Sequence, residues 1–450
     1  MDTLASSPYV WLEFDEQGTI DASALTKLNQ LVSDPKFTDF VVMSHGWKNN
    51  ESDAKTLYET LWKNTCAEWA TKKADAAQRT IVAGVSWPAK AYRTDFDEVP
   101  PSEADATATL SVRTNDEPSD LSVDEFERTL DGFAELFGSA AAATIEAARA
   151  AASDLTRSSS QHFVHEVACA LGLSTVSPSN FDGELMSFVD AIERANRDGV
   201  RARDLLDSLT LAPTMMNIGG NSVTLGLGSI LKGAVTGARA AVARLLNQLT
   251  YWEMKKRAGI VGESLSTAIL SRLTPRNPIR LHLVGHSFGA RLVTAAADRL
   301  MPPTNVEFRS LTLLQGAFSH NGLAQNISPG VSGAFPNVVG KPKGVISITH
   351  THNDRACTIA YPLASRLSLD NRLALGDASD PFGAMGANGP QMLPSSAIER
   401  HTTSQTFAPK MGLVNTFLAD DFIIKTTDTD AHNNVTNPVV GRLLAATLEA

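Results

Sequence analysis

Along the first ninety residues, short apolar runs alternate with stretches of helical spacing. Tyr9–Phe14 reads as a strand, Ala22–Val32 as a helix, and Phe37–Met43 as a second apolar run that ends in Ser44-His45-Gly46-Trp47. A helix is predicted over 52–73, with Leu57, Leu61 and Trp62 on one face, followed by a buried strand from Thr80 that Pro88 stops. Runs of this kind suit strands buried on both faces. Their alternation with helices predicts an α/β fold with a mostly parallel central sheet covered by helices.

The pattern then changes. From about residue 89 to 265 no β-branched run stands out, and alanine-rich helical spacing dominates over 123–155, 161–171, 182–196 and 229–270. Strand signals resume at Ile279–Val284, Val306–Leu314 and Gly344–Thr349, with a helix over 288–300. A loop-rich stretch covers 370–409, a last strand is predicted over Asp421–Thr426, and Asn437-Pro438 opens a final helix. The expected organisation is a core made of 1–89 and 267–450, interrupted by an acidic loop and helical insertion over 90–266.

Composition narrows the function classes. The net charge of −10 is concentrated. Residues 94–131 hold twelve acids against Arg113 and Arg128, so the remainder is near neutral. No basic face stands out, which argues against nucleic acid as a partner, and the acidic run reads as a solvated loop. Cys66, Cys169 and Cys357 lie far apart and form neither a disulfide framework nor a zinc clip, so a reducing, cytoplasmic setting is expected. Met1–Gln17 lacks the features of a signal peptide. A long charge-free span, 208–231, is broken by Pro213 and four glycines, so no integral membrane segment is expected. Its Met215, Met216, Leu225 and Leu227 suit the lining of an apolar pocket.

The strongest chemical signal is Val284-Gly285-His286-Ser287-Phe288-Gly289-Ala290. A G-x-S-x-G that follows an apolar strand and opens a helix puts the serine on a sharp turn with its hydroxyl exposed. The helix N-terminus adds positive potential where an oxyanion would form. A competing signal is His350-x-His352-x-Asp354, whose spacing is similar to the zinc motif of the metallo-β-lactamase fold. That motif continues with a histidine where this chain has Arg355, and strand alternation alone puts His350 and His352 on one side.

With Gly285-His286-Ser287-Phe288-Gly289 and the His45-Gly46-Trp47 loop in place, the sheet-forming parts of the chain resemble the α/β-hydrolase superfamily. The resemblance implies a Ser287 nucleophile, with the backbone N–H groups of Trp47 and Phe288, beside Gly46, as an oxyanion hole. His45 would then stabilise its loop. The family's order of serine, acid, histidine implies Asp354 as the acid and His432 as the base. Other bases weighed are His320, His350, His352 and His401; other acids are Asp377, Asp380, Asp428 and Asp430. The implied activity is hydrolysis of carboxylic esters, in a lipid-like range, through an acyl-enzyme and with no metal or cofactor. Amide cleavage by the same triad, or a non-catalytic scaffold that binds a partner through the insertion, are the alternatives. The insertion lies before the nucleophile strand, where many relatives of that superfamily place theirs later. It leaves the acyl and alcohol groups, and the oligomeric state, unread.

Overall fold

The computed structural model describes residues 2–47, 51–70, 75–89, 120–170, 192–210, 217–218, 221–222, 237–360, 383–402 and 406–450. The strands, in chain order, are β1 (Thr3–Leu4), β2 (Ser7–Glu13), β3 (Asp39–Ser44), β4 (Thr80–Ser86), β5 (Asn217–Ile218), β6 (Asn221–Ser222), β7 (Ile279–His286), β8 (Val306–Leu314), β9 (Val345–His350), β10 (Ile398–His401) and β11 (Val414–Leu418). The helices are α1 (Ala22–Val32), α2 (Glu51–Ala70), α3 (Val123–Phe137), α4 (Ala141–Ser153), α5 (Arg157–Ala170), α6 (Gly199–Thr210), α7 (Ala238–Ser264), α8 (Phe288–Arg299), α9 (Met385–Asn388) and α10 (Pro438–Glu449).

Nine strands form one sheet in the order β1-β2-β4-β3-β7-β8-β9-β11-β10. Every pairing is parallel except β1 with β2. The fold is therefore α/β, with a mostly parallel sheet. All six residues of β3 are buried, as an internal parallel strand requires. Val41 and Met43 join Tyr58, Leu61 and Trp62 of α2 and Val440, Leu443 and Leu444 of α10 in one apolar cluster. Phe40 and Val42 alternate to the other face. There α8 packs on β7 and β3 while contributing nothing to that cluster.

The chain divides into two compact units. One holds residues 1–90, 254–363 and 373–450, and with them the nine-stranded sheet. The other holds 91–253 and 364–372, and its described residues are helical apart from the short β5–β6 hairpin. In that second unit a Ser122–Glu125 capping box starts α3, and Phe126, Leu130 and Phe133 bury one face of the helix. Small alanines of α4 allow close packing against α5. Residues 254–266, assigned above to the helical stretch, group with the sheet. The reason is contact with α8: a Cβ on Gly262 would meet the Leu292 carbonyl oxygen at 2.2 Å.

Two further expectations are corrected. Residues 421–426 form no strand; the last strand before α10 is β11. The apolar Phe422 and Ile423 are buried by a turn, in which both N–H groups donate to the Ala419 carbonyl. The loop-rich region contains the edge strand β10 and the short helix α9. The acidic run over 94–119 and most of the charge-free 208–231 span lie outside the described residues. The acids at 124–131 belong to α3.

Candidate active site

Ser287 sits between β7 and α8 at φ 58° and ψ −122°, a backbone conformation that costs an L-residue about 1–3 kcal/mol. The surroundings hold it there. Its N–H donates to the Leu314 carbonyl and its own carbonyl accepts from Ala317, both at 3.1 Å. Strand and helix pass so closely that a Cβ on Gly289 would lie 2.3 Å from the Ser44 carbonyl oxygen. One on Gly285 would lie 2.3 Å from the Gly289 oxygen. The sharp turn is therefore a packing consequence of the two glycines.

The loop after β3 arrives beside the serine. A Cβ on Gly46 would stand 2.6 Å from the Ser287 Cβ, so only glycine lets this loop come so close. The Trp47 ring meets Phe288 edge-on at 5.9 Å. Gly46 and Trp47 thus lie next to the first turn of α8, whose N–H groups point out of the helix end. His45 keeps this loop in place. Its N–H donates to Tyr58 Oη (2.7 Å), its Nδ1 donates to the Gly46 carbonyl (2.8 Å), and its ring stacks on Trp87.

Asp354 and His432 converge on the same point. His432 Nδ1 donates to Asp354 Oδ2 at 2.7 Å, and His432 Nε2 lies 2.9 Å from Ser287 Oγ, placed to accept its proton. Asp354 follows β9 and is fully buried; Ser287 is 6% exposed and the His432 side chain 14%. Serine and histidine keep some exposed surface, whereas Asp354 has none and lies behind the histidine. Burial by itself would raise the Asp354 carboxyl. The His432 charge and the hydrogen bonds from His432, Gln315 Nε2 and the Cys357 N–H outweigh it and hold the group below the usual carboxylate range. For His432 burial pulls down, and the Asp354 charge and hydrogen bond prevail, so its pKa is raised.

The other candidates fall elsewhere. His320 pairs with Asn388, His352 with Asp420, and His401 with Asn415, while His350 rests against Gly389. Asp430 accepts from the Asn433 N–H and acts on His432 only by charge; Asp377 and Asp380 lie outside the described residues. His350, His352 and Asp354 do not converge as a ligand set. The group with ligand atoms close enough for a metal, among the described residues, is Asp354, Cys357 and His432. Its chemistry suits a metal poorly. His432 Nδ1 and Asp354 already bond each other, and burial, reinforced by the Asp354 charge, keeps Cys357 a thiol far above its usual range.

No family model, curated protein or solved structure matches the chain. The local geometry therefore carries the functional argument.

Sequence reasoning passed over two features. Gln315, directly after the apolar run of β8, donates to Asp354; a polar residue closing a buried strand was the available signal. Lower in the sheet, Asp39 at the start of β3 and His282 and Ser310 in the middle of β7 and β8 form a second serine-histidine-acid chain, at 3.1 Å and 2.8 Å. Here His282 and Ser310 have no exposed surface, and Arg280 pairs with Asp39. This set ties β3, β7 and β8 together and offers a substrate no approach.

The buried histidines make the fold acid-sensitive. Burial holds His45 down to about 4 and His286 down to about 3, whereas the unfolded chain takes up those protons near pH 6.5. A depressed folded pKa means stability is fully present above the unfolded value and is lost as pH falls below it. Each histidine is expected to cost about 2 kcal/mol between pH 7 and pH 5. His432, with its raised pKa, acts in the opposite sense. Urea midpoints across this range should fall steadily, and a flat profile would contradict the burial of these rings.

Proposed function

We propose that the chain is a serine hydrolase of the α/β-hydrolase type that cleaves carboxylic esters through an acyl-enzyme. One observation carries the reading: the continuous hydrogen-bond chain from Ser287 Oγ through His432 to a buried Asp354, with the serine on a strained strand-to-helix turn. In this reading His432 Nε2 takes the Ser287 proton as Oγ attacks the ester carbonyl. Backbone N–H groups of Trp47 and Phe288 hold the oxyanion. The tetrahedral intermediate collapses, His432 passes the proton to the departing alcohol, and water then repeats the sequence on the acyl-serine. Asp354 fixes the histidine tautomer and stabilises the imidazolium.

The helical unit takes the part of an insertion between β4 and β7 in this scheme. No described helix is long and apolar enough to cross a membrane. Three unpaired cysteines support a reducing setting such as the cytoplasm. A fluorophosphonate probe, followed by mass spectrometry of the adduct, tests the proposal. The expected product is one adduct, on Ser287 and not on Ser310. Folded protein that takes no label would leave a non-catalytic scaffold as the better reading. A p-nitrophenyl ester series of increasing acyl length would then report the depth of the pocket.

A further inference from the structure

Gln315 is the group around the site whose placement the proposed mechanism leaves unexplained. It closes β8 with φ 47°, a left-handed conformation that glycine adopts freely and glutamine does not. The residue has no exposed surface. Its N–H donates to Thr349 Oγ1 at 3.1 Å. Its Nε2 donates to Asp354 Oδ2 at 2.9 Å and to the Gly386 carbonyl at 3.0 Å, so both amide protons are used. The amide oxygen is buried with no partner among the described residues. Turning the amide over would aim that oxygen at a carboxylate and a carbonyl, which fixes the orientation. Gly386 packs so tightly that a Cβ there would lie 2.6 Å from the Gln315 carbonyl carbon.

A strained backbone is thus tolerated in order to keep a neutral donor on one carboxylate oxygen, the oxygen that also binds His432. An arginine or lysine in that place would neutralise the acid. A glutamate would contest its proton. A glutamine does neither. We propose that Gln315 is a positioning residue for Asp354, which by sharing Oδ2 with His432 sets how strongly the acid holds the imidazolium. The inference rests on the reading of Ser287, Asp354 and His432 as a catalytic triad.

The groups facing His432 are Asp354 and Cys357 on one side, His286, whose Nε2 donates to the His432 carbonyl, and Asp430 of its own loop. None of these changes in Gln315→Met, which keeps the volume and removes the donor. The Cys357 N–H still holds Asp354 Oδ1, so the carboxylate stays in place with its charge on Oδ2 unshared. His432 then becomes more basic. In histidine-labelled protein followed by NMR, the His432 titration is expected to move to higher pH. With p-nitrophenyl acetate as substrate, kcat/KM at pH 6 should fall about tenfold and recover at pH 9, with KM little changed. A role confined to packing would give a loss that pH does not repair. A folded variant in which the His432 titration stays put or moves down overturns the inference. Wild-type protein that turns over no ester, yet shows the His432 movement, would overturn the hydrolase reading and leave the Gln315–Asp354 link standing.

Discussion

Replacing Ser287 by alanine is expected to lower ester turnover about a million-fold, and His432→Ala by a similar factor. The two effects should not add. Serine at its ordinary pKa is a weak nucleophile, and it gains reactivity only as the proton leaves for His432 Nε2, 2.9 Å away. Remove either partner and the same step is lost, so the double variant should be no slower than each single one. Neither change is expected to unfold the protein. Alanine suffers the same strain at φ 58° as serine, and the turn is held by backbone hydrogen bonds to Leu314 and Ala317 that the substitution leaves intact. Circular dichroism and the thermal midpoint check this, and kcat on p-nitrophenyl acetate gives the loss. Activity within tenfold of wild type in a folded Ser287→Ala protein would mean that another group is the nucleophile. Ser310→Ala is the matching control. Its serine has a histidine at 2.8 Å but no surface, so turnover per folded molecule should persist.

That contrast also shows what could be read from the chain and what could not. The inner strands were legible because β3, β4, β7, β8 and β9 are short segments rich in β-branched and apolar residues, buried at nearly every position, as a doubly covered sheet requires. β11 was not. Val414–Leu418 carries Asn415 and Thr416, whereas Asp421–Thr426 has the more strand-like composition. Asn415 is buried in the sheet, its side chain bonded to the backbone of Lys410 and Leu413, so a polar residue interrupts the apolar pattern inside the strand. The edge strand β10, Ile-Glu-Arg-His, has one buried position and hence almost no pattern. For the site, Ser287 announces itself by two flanking glycines, and Asp354 and His432 by position after a strand and before the last helix. Cys357 and the Asp39–His282–Ser310 set have no such local mark, and Gln315 has only that of a polar residue closing a buried strand. They depend on registry between strands and on how loops meet at the strand ends, which is decided by the packed sheet.

Asp354→Asn is expected to lower kcat/KM by about 10⁴ while leaving the fold in place. The carboxylate serves three donors: His432 Nδ1 and Gln315 Nε2 on Oδ2, and the Cys357 N–H on Oδ1. Asparagine has one oxygen for these three. If its oxygen takes the Oδ2 place, its NH2 group confronts the Cys357 N–H. If it turns over, the NH2 group faces His432, and the ring must carry its proton on Nε2, where it can no longer accept from Ser287. Either way the negative charge that offsets burial of His432 is gone. Burial, the largest influence, is then opposed only by the Asp430 charge, and the His432 titration should move to lower pH, opposite in direction to the Gln315→Met change. His350→Ala provides the counterpart, since that ring rests on Gly389 and touches neither Ser287 nor Asp354, and turnover should stay within a few-fold of wild type. The reverse pattern, with Asp354→Asn active and His350→Ala dead, would favour a metal held by the His350-x-His352 segment over the serine mechanism. Chelator sensitivity of the wild type would then be the decisive measurement.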